Sequence, residues 1–242
     1  IADSLVQRAW RAGFGTLVLT VDVPLDGNRE RDARNGFNGS NIPLAKRLAW
    51  AASRPAWALR MALGPKLSMA NLEEAGPDGM AMQAALLKRR MDDSFDWAAL
   101  ARLRDRWPGK RASKGILHAE DAERARCEGA DGIVLSNHGG RQLDAAISPI
   151  QALQAIGRAW PEGVAIDGGF RRGADVVKAM ALGASTVLLG RAVLYGLASE
   201  GEQGARSVLR MLHKEASDTL GQLGVTNPSE LEPGILTERR ES

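Results

Sequence analysis

Short, almost wholly apolar runs alternate along this chain with longer stretches whose apolar positions recur at helical spacing. Thr16–Asp22, Gly132–Ser136, Val164–Asp167 and Thr186–Leu189 are the apolar runs, and each predicts a strand. Strands without polar alternation are buried on both faces, as in parallel sheets. The intervening segments Glu120–Cys127, Pro149–Trp160 and Ala174–Leu182 read as helices, the second announced by Ser148-Pro149, a cap followed by proline at the first helical position. Gly129 and Gly183 stand just past two of these helix ends, where a left-handed residue is wanted. A further strand is required between the helix Phe95–Arg106 and Gly115, and Arg111-Ala112-Ser113-Lys114 supplies it despite a polar interior. Glu202–Leu223 reads as a final amphipathic helix ending near Gly224.

This rhythm is that of repeated β/α units. The fold class expected is α/β, a TIM (β/α)8 barrel represented from its fourth strand onward, with about three units lacking. Ile1–Ala12 already reads as an amphipathic helix leading into a core strand, and it starts with Ile1 in place of methionine. Both features suggest that an upstream part is missing.

At 242 residues, 44% apolar and 25% charged, the composition is globular and suits one barrel domain over residues 1–242. No uncharged run reaches the roughly 18 apolar residues of a membrane span. The single cysteine, Cys127, excludes an internal disulfide and fits a reducing compartment; its place at a helix end predicts a packed bystander. The net charge of +3 is uneven: Ala33–Leu72 holds six basic residues and no acidic one, leaving −3 elsewhere. In this insertion, about residues 36–72, Leu44, Leu48, Trp50, Trp57, Leu59 and Met61 interleave with the basic residues, and Pro55 breaks any single helix. Cations beside interfacial tryptophans suit an anionic membrane surface. A loop packed on the barrel or an oligomer contact is the alternative. Nucleic acid is not expected, because no recognition motif accompanies the charge.

The candidate chemistry gathers at strand ends. Ser136-Asn137-His138-Gly139-Gly140-Arg141-Gln142 follows one apolar strand, and Asp22, Lys114, Asp167 and Arg191 fall at or just past the others. Polar groups on strand C-termini form barrel active sites. An imidazole exchanges protons near neutral pH, and a guanidinium three residues on grips a carboxylate by two prongs. Asp167-Gly168-Gly169-Phe170-Arg171 and Gly190-Arg191 follow the two last strands, where barrels bind phosphate on glycine-rich loops and a helix N-terminus. By themselves, Asp22 also suits a turn cap before Pro24, and Arg29, among Glu30, Arg31 and Asp32, a solvated charged run. His118 and His213 read as structural or solvated. Lys114 would also suit a Schiff-base former in a barrel aldolase.

Ser136–Gln142, Lys114-Gly115, Thr20-Val21-Asp22, Arg29-Glu30-Arg31-Asp32 and Asp167-Gly168-Gly169 with Arg171 resemble the FMN-dependent α-hydroxy acid dehydrogenases and oxidases. Met82–Leu86 and Ala146–Pro149 are most similar to the (S)-mandelate dehydrogenase branch, then to the L-lactate dehydrogenases. The resemblance implies FMN as cofactor and oxidation of an (S)-2-hydroxy acid, mandelate first, to the 2-oxo acid. His138 would be the base and Asp22 its partner; Arg141 and Arg29 would clamp the substrate carboxylate. Thr20 and Ser136 would hydrogen-bond the flavin, and Lys114 would lie at its N1/O2 edge. Asp167, Gly168, Gly169, Arg171, Gly190 and Arg191 would hold the ribityl chain and phosphate. The basic insertion implies a cytoplasmic protein peripheral on the inner membrane that passes electrons to a membrane quinone; dioxygen is the other acceptor class. A homo-oligomer is expected, and no metal. The non-enzymatic alternative is an inactive fragment retaining a membrane-surface module.

Overall fold

The computed structural model describes residues 2–25, 27–35, 43–64, 71, 94–157, 160, 163–237. They fall into two compact units, one of Ile1–Ala12 with Leu25–Asp93 and one of Gly13–Pro24 with Ser94–Ser242.

The first unit contributes α1 (Ala2–Arg11), α2 (Glu30–Arg34), α3 (Leu44–Ala52) and α4 (Pro55–Leu63). The α1 guanidinium of Arg8 donates to Asn71 Oδ1 at 3.1 Å. The insertion forms two short helices, as Pro55 requires: it takes the first position of α4, where its missing N–H is no loss. Neither α3 nor α4 buries a residue within the protein, and Leu44, Leu48, Trp57, Leu59 and Leu63 are each more than half exposed. Lys46 sits over the Trp50 ring at 5.1 Å. Residues 36–42, Lys66, Leu72 and the Met82–Leu86 motif lie outside the described residues.

The second unit is built on five parallel strands in sequential order: β1 (Thr16–Thr20), β2 (Lys110–Ile116), β3 (Gly132–Leu135), β4 (Val164–Ile166) and β5 (Ala184–Val187). Helices α5 (Trp97–Arg106), α6 (Ala119–Cys127), α7 (Pro149–Ile156), α8 (Gly173–Ala181) and α9 (Arg191–Gln222) alternate with them. Strand order that follows chain order, with a helix at each crossover, is the arc of a (β/α)8 barrel. Ile133, Leu135, Leu153, Ile156, Val164 and Ile166 form the centre of the core against α6 and α7.

Local signals account for the helix ends. Asp96 caps α5 by accepting from Ala99 N at 2.8 Å. Ser148 and Gln151 complete a reciprocal capping box on α7. Gly129 (φ 82°) and Gly183 (φ 104°) take the left-handed conformation after α6 and α8.

Three expectations need correction. β5 begins at Ala184 rather than Thr186, because Leu188 N already closes the ladder on Ile166 O and Leu188–Gly190 must turn into the next helix. The final helix expected over Glu202–Leu223 is present, and a break at Glu200–Gly201, where Gly201 has φ 62°, joins it to the preceding part of α9 from Arg191. α7 ends at Ile156 rather than running on to Trp160. Cys127 is exposed, with its thiol 3.9 Å from Glu123 Oε1, and is not packed.

The polar strand β2 is real, and its polarity has structural uses. Arg111 and Ser113 are buried, and the Arg111 guanidinium is spent on the carbonyls of Leu100 (2.8 Å), Glu128 (2.9 Å) and Gly129 (2.6 Å). Burial, with Arg104 nearby, lowers the pKa of that guanidinium; Asp131 and Asp105 oppose the shift.

Candidate active site

The parallel register brings the candidate residues to one edge. Thr20 pairs with Lys114, and Lys114 with Val134, so strands β1, β2 and β3 end side by side. Val21 N then donates to Lys114 O (2.8 Å), and Asp167 N to Leu135 O (3.0 Å). Ser136 and Asp167 are therefore each the first residue beyond their strand.

Lys114 is the node of this edge. Its ammonium lies 2.7 Å from Ser136 Oγ and 3.0 Å from Asp167 Oδ2, with the Lys and Asp side chains only 17% and 20% exposed. Ser136 is fully buried, and its hydroxyl also accepts from His138 N at 3.0 Å. Asp167 Oδ1 is buried without a hydrogen-bond partner among the described residues. A lysine held by a carboxylate and a hydroxyl is poorly disposed to attack a carbonyl, since imine formation needs a free, desolvated amine.

The segment after β3 coils to the left: His138, Gly139 and Gly140 have φ of 56°, 68° and 74°. For a non-glycine residue such a conformation costs roughly 1–3 kcal/mol and clusters at functional sites. Asn137 holds the turn by accepting from Gly140 N (3.2 Å) and donating to Ile147 O (3.3 Å). The turn aims His138 Nδ1 at Asp22 Oδ1, 3.5 Å away. Both groups are buried at these atoms and make no hydrogen bond among the described residues, so the pair stands close but unclosed. Gly115 makes the approach possible: at φ 108°, a Cβ there would lie 2.5 Å from Asp22 Cβ.

Lys114, His138, Arg141, Asp167, Gly168, Gly169, Arg171, Gly190 and Arg191 line one cleft of about 300 Å³, together with apolar Phe170, Leu188 and Leu189. Thr20, Asp22 and Ser136 lie at or just past the same strand ends but are not among the residues lining the cleft. Arg29 belongs to the first unit; it is half-buried just ahead of α2, with Nε lacking a hydrogen-bond partner among the described residues.

The two phosphate-type turns are not equivalent. At α8, Asp175 Oδ2 accepts from the amides of Arg171 (3.1 Å) and Arg172 (3.0 Å), and Glu215 Oε2 accepts from Gly173 N (2.8 Å). The amides of Arg171, Arg172 and Gly173 are thus already satisfied by carboxylates, while Gly168 and Gly169 still line the cleft. At α9 the amides of Gly190, Arg191 and Ala192 meet no acceptor among the described residues and lie on the cleft. That helix N-terminus, with its partial positive charge, is where the cleft favours an anion.

Asn137, Asp175 and Glu215 were not singled out in the sequence. Asn137 lies inside the Ser136–Gln142 motif but carries no assigned role there, and Asp175 sits at the third position of a helix, a recognisable capping signal. Glu215 acts from 42 residues away in α9, and no local pattern marks it.

Among the described residues no helix is long and apolar enough to cross a membrane, and no cluster of three metal-type ligands occurs. Comparison with known proteins agrees with this architecture. Residues 1–238 match the family model described as FMN-dependent dehydrogenase. The chain is 48% identical over 236 residues to (S)-mandelate dehydrogenase of Pseudomonas putida, covering 98% of this chain and 60% of that protein. It is 44% identical to L-lactate dehydrogenase of Pseudomonas entomophila, covering 93% and 60%. A solved structure described as the monotopic membrane protein (S)-mandelate dehydrogenase superimposes with a TM-score of 0.94 at 47% identity, covering 98% of this chain and 64% of that one. A mandelate oxidase structure reaches a TM-score of 0.68 at 37% identity, covering 93% and 55%. The chain thus spans about 60% of the length of the curated relatives it matches. On its motif-bearing strand ends, its five parallel β/α units and a match over nearly all of its residues, the chain belongs to the FMN-dependent dehydrogenase family.

Proposed function

We propose that this chain carries the base-bearing and phosphate-bearing side of a centre that oxidises an (S)-2-hydroxy acid, mandelate first and L-lactate second, to the 2-oxo acid. The observation that carries this reading is one cleft lined by His138, Arg141, the Lys114–Asp167 pair and the Arg171/Arg191 anion end. The cleft fits FMN on the chain's own features. Unsatisfied amides at α9 and two arginines suit a phosphate. Asp167 Oδ1 lacks a partner that a ribityl hydroxyl would provide. At Gly169 and Gly190 an added Cβ would meet nothing within 4 Å, so the backbone borders open space there. FMN, when bound, supplies the two-electron acceptor.

The protein's residues then have separable tasks. Arg141 binds the substrate carboxylate by its fork of donors. His138 takes the proton released at the hydroxyl-bearing carbon. Asp22, 3.5 Å from Nδ1, stabilises the imidazolium that results and sets the ring's orientation. Lys114 places positive charge at the inner end of the cleft, where Ser136 and Asp167 fix it. Thr20 and Ser136 contact the flavin ring, while Asp167, Gly168, Gly169, Arg171, Gly190 and Arg191 hold its side chain and phosphate.

The exposed leucines and tryptophans of α3 and α4, with Lys46, Arg47, Arg54 and Arg60 and no acidic residue, support peripheral attachment to an anionic membrane. Attachment to a membrane suits a quinone as the electron acceptor. The cytoplasmic face of the inner membrane and a homo-oligomeric state complete the reading.

Replacing His138 by alanine tests it. With FMN bound, reduction of the flavin by (S)-mandelate should slow by about 10²-fold or more, the scale of general-base catalysis, with flavin affinity retained. Undiminished reduction would refute the role of His138.

A further inference from the structure

Arg191 is assigned above to the anion end of the cleft, but its guanidinium also reaches back into the His138 turn. Its Nη2 donates to Gly139 O at 2.8 Å, across 52 residues of sequence. That carbonyl belongs to the middle of three consecutive left-handed residues, His138, Gly139 and Gly140. The fit is close: a Cβ on Gly139 would lie 2.6 Å from Arg191 Nη2. The turn's other ties come from its own strand end, through Ser136 Oγ to His138 N and Asn137 Oδ1 to Gly140 N. Besides the 3.5 Å approach of Asp22 to the His138 ring, Arg191 supplies the hydrogen bond among the described residues that reaches the turn's backbone from another β/α unit.

We propose that Arg191 is a positioning residue that couples anion occupancy at the α9 N-terminus to the order of the turn carrying His138, an inference that rests on the cleft's reading as a phosphate site. Only Nη2 is engaged among the described residues, which leaves the other guanidinium donors to meet an anion lying on the amides of Arg191 and Ala192. An anion held there immobilises the long side chain and lowers the entropic cost of keeping Nη2 on Gly139 O. The strained His138 backbone is then held in its left-handed conformation while phosphate is bound and relaxes when it leaves. By linkage, order in the turn raises anion affinity by the same factor.

The test uses the intact chain, inorganic phosphate as probe, calorimetry for binding and amide hydrogen exchange of the peptide spanning 136–142. In the unsubstituted protein, saturating phosphate should slow exchange there by about fivefold or more, the lower end of ordinary coupling. Arg191→Met, at phosphate matched to its own Kd, should show no slowing. Gly139→Ala should behave alike, because the added methyl displaces Nη2 without removing any charge. Arg191→Lys should restore part of the effect. Arg171→Met should bind phosphate more weakly yet keep the full slowing at saturation, which separates charge from coupling. Slowing retained in both Arg191→Met and Gly139→Ala overturns the proposal, as does bound phosphate without slowing in the unsubstituted protein; the cleft reading survives either result. Failure of phosphate to bind overturns the coupling and the phosphate reading together.

Discussion

Replacing Arg111 by methionine should destabilise the second unit far more than a typical polar substitution. The guanidinium donates to three carbonyls, those of Leu100, Glu128 and Gly129, at 2.6–2.9 Å. Hydrogen bonds to charged groups contribute about 1.5–3 kcal/mol each, or roughly 4–9 kcal/mol together. Against this stands a desolvation cost of several kcal/mol for a buried cation, a cost visible in the lowered pKa. The balance is a loss of about 3 kcal/mol, close to what breaking a buried charge arrangement usually costs. Methionine keeps most of the apolar stem, so the loss reports the polar network rather than a cavity. Urea unfolding followed by far-UV circular dichroism reads it directly. With a slope of about 2–3 kcal/mol per molar, the midpoint should fall by about 1 M or more. A shift below about 0.3 M at unchanged slope would refute the reasoning, because the three bonds would then merely offset the cost of burial. Lys114 lies three residues further along the same strand, so flavin binding should weaken in this variant as the strand loosens.

Three further outcomes follow from the site. Gly115→Ala should push Asp22 away from His138, since its Cβ would meet Asp22 Cβ at 2.5 Å; mandelate-dependent flavin reduction should drop by at least tenfold while flavin binding persists. Trp50→Ala with Trp57→Ala should weaken sedimentation with anionic vesicles markedly, and raised salt should weaken it in every variant; binding equal to the parent would show that α3 and α4 do not face lipid. Ser148→Ala removes a capping box and should cost about 1 kcal/mol in urea unfolding without changing flavin affinity.

The β/α rhythm was legible because strands buried on both faces are nearly all apolar and because proline and glycine punctuate the helices. β2 was the hard case. Its buried Arg111 is compensated by carbonyls from α5 and the end of α6, partners that local sequence does not reveal. The register at β5 was obscured for a related reason: Leu188 and Leu189 are as apolar as the strand but belong to the turn that launches α9. At the candidate site, His138, Asp167 and Arg191 stand out in the sequence by their place after strands, and Lys114 by its place near the end of β2. What sequence could not reveal was the inequality of the two anion turns. Glu215 and Asp175 occupy the amides at α8 and leave α9 open, and Glu215 arrives only through tertiary packing.

We propose that the cleft at the β2–β5 edge is a flavin site at which a 2-hydroxy acid is oxidised. Its most direct test is the visible spectrum of the purified chain with FMN and then (S)-mandelate added under nitrogen. A shifted flavin spectrum is expected on binding, followed by bleaching with (S)-mandelate and none with the (R) enantiomer. Flavin that stays free in solution, or that binds and is not bleached by either (S)-mandelate or L-lactate, would contradict it.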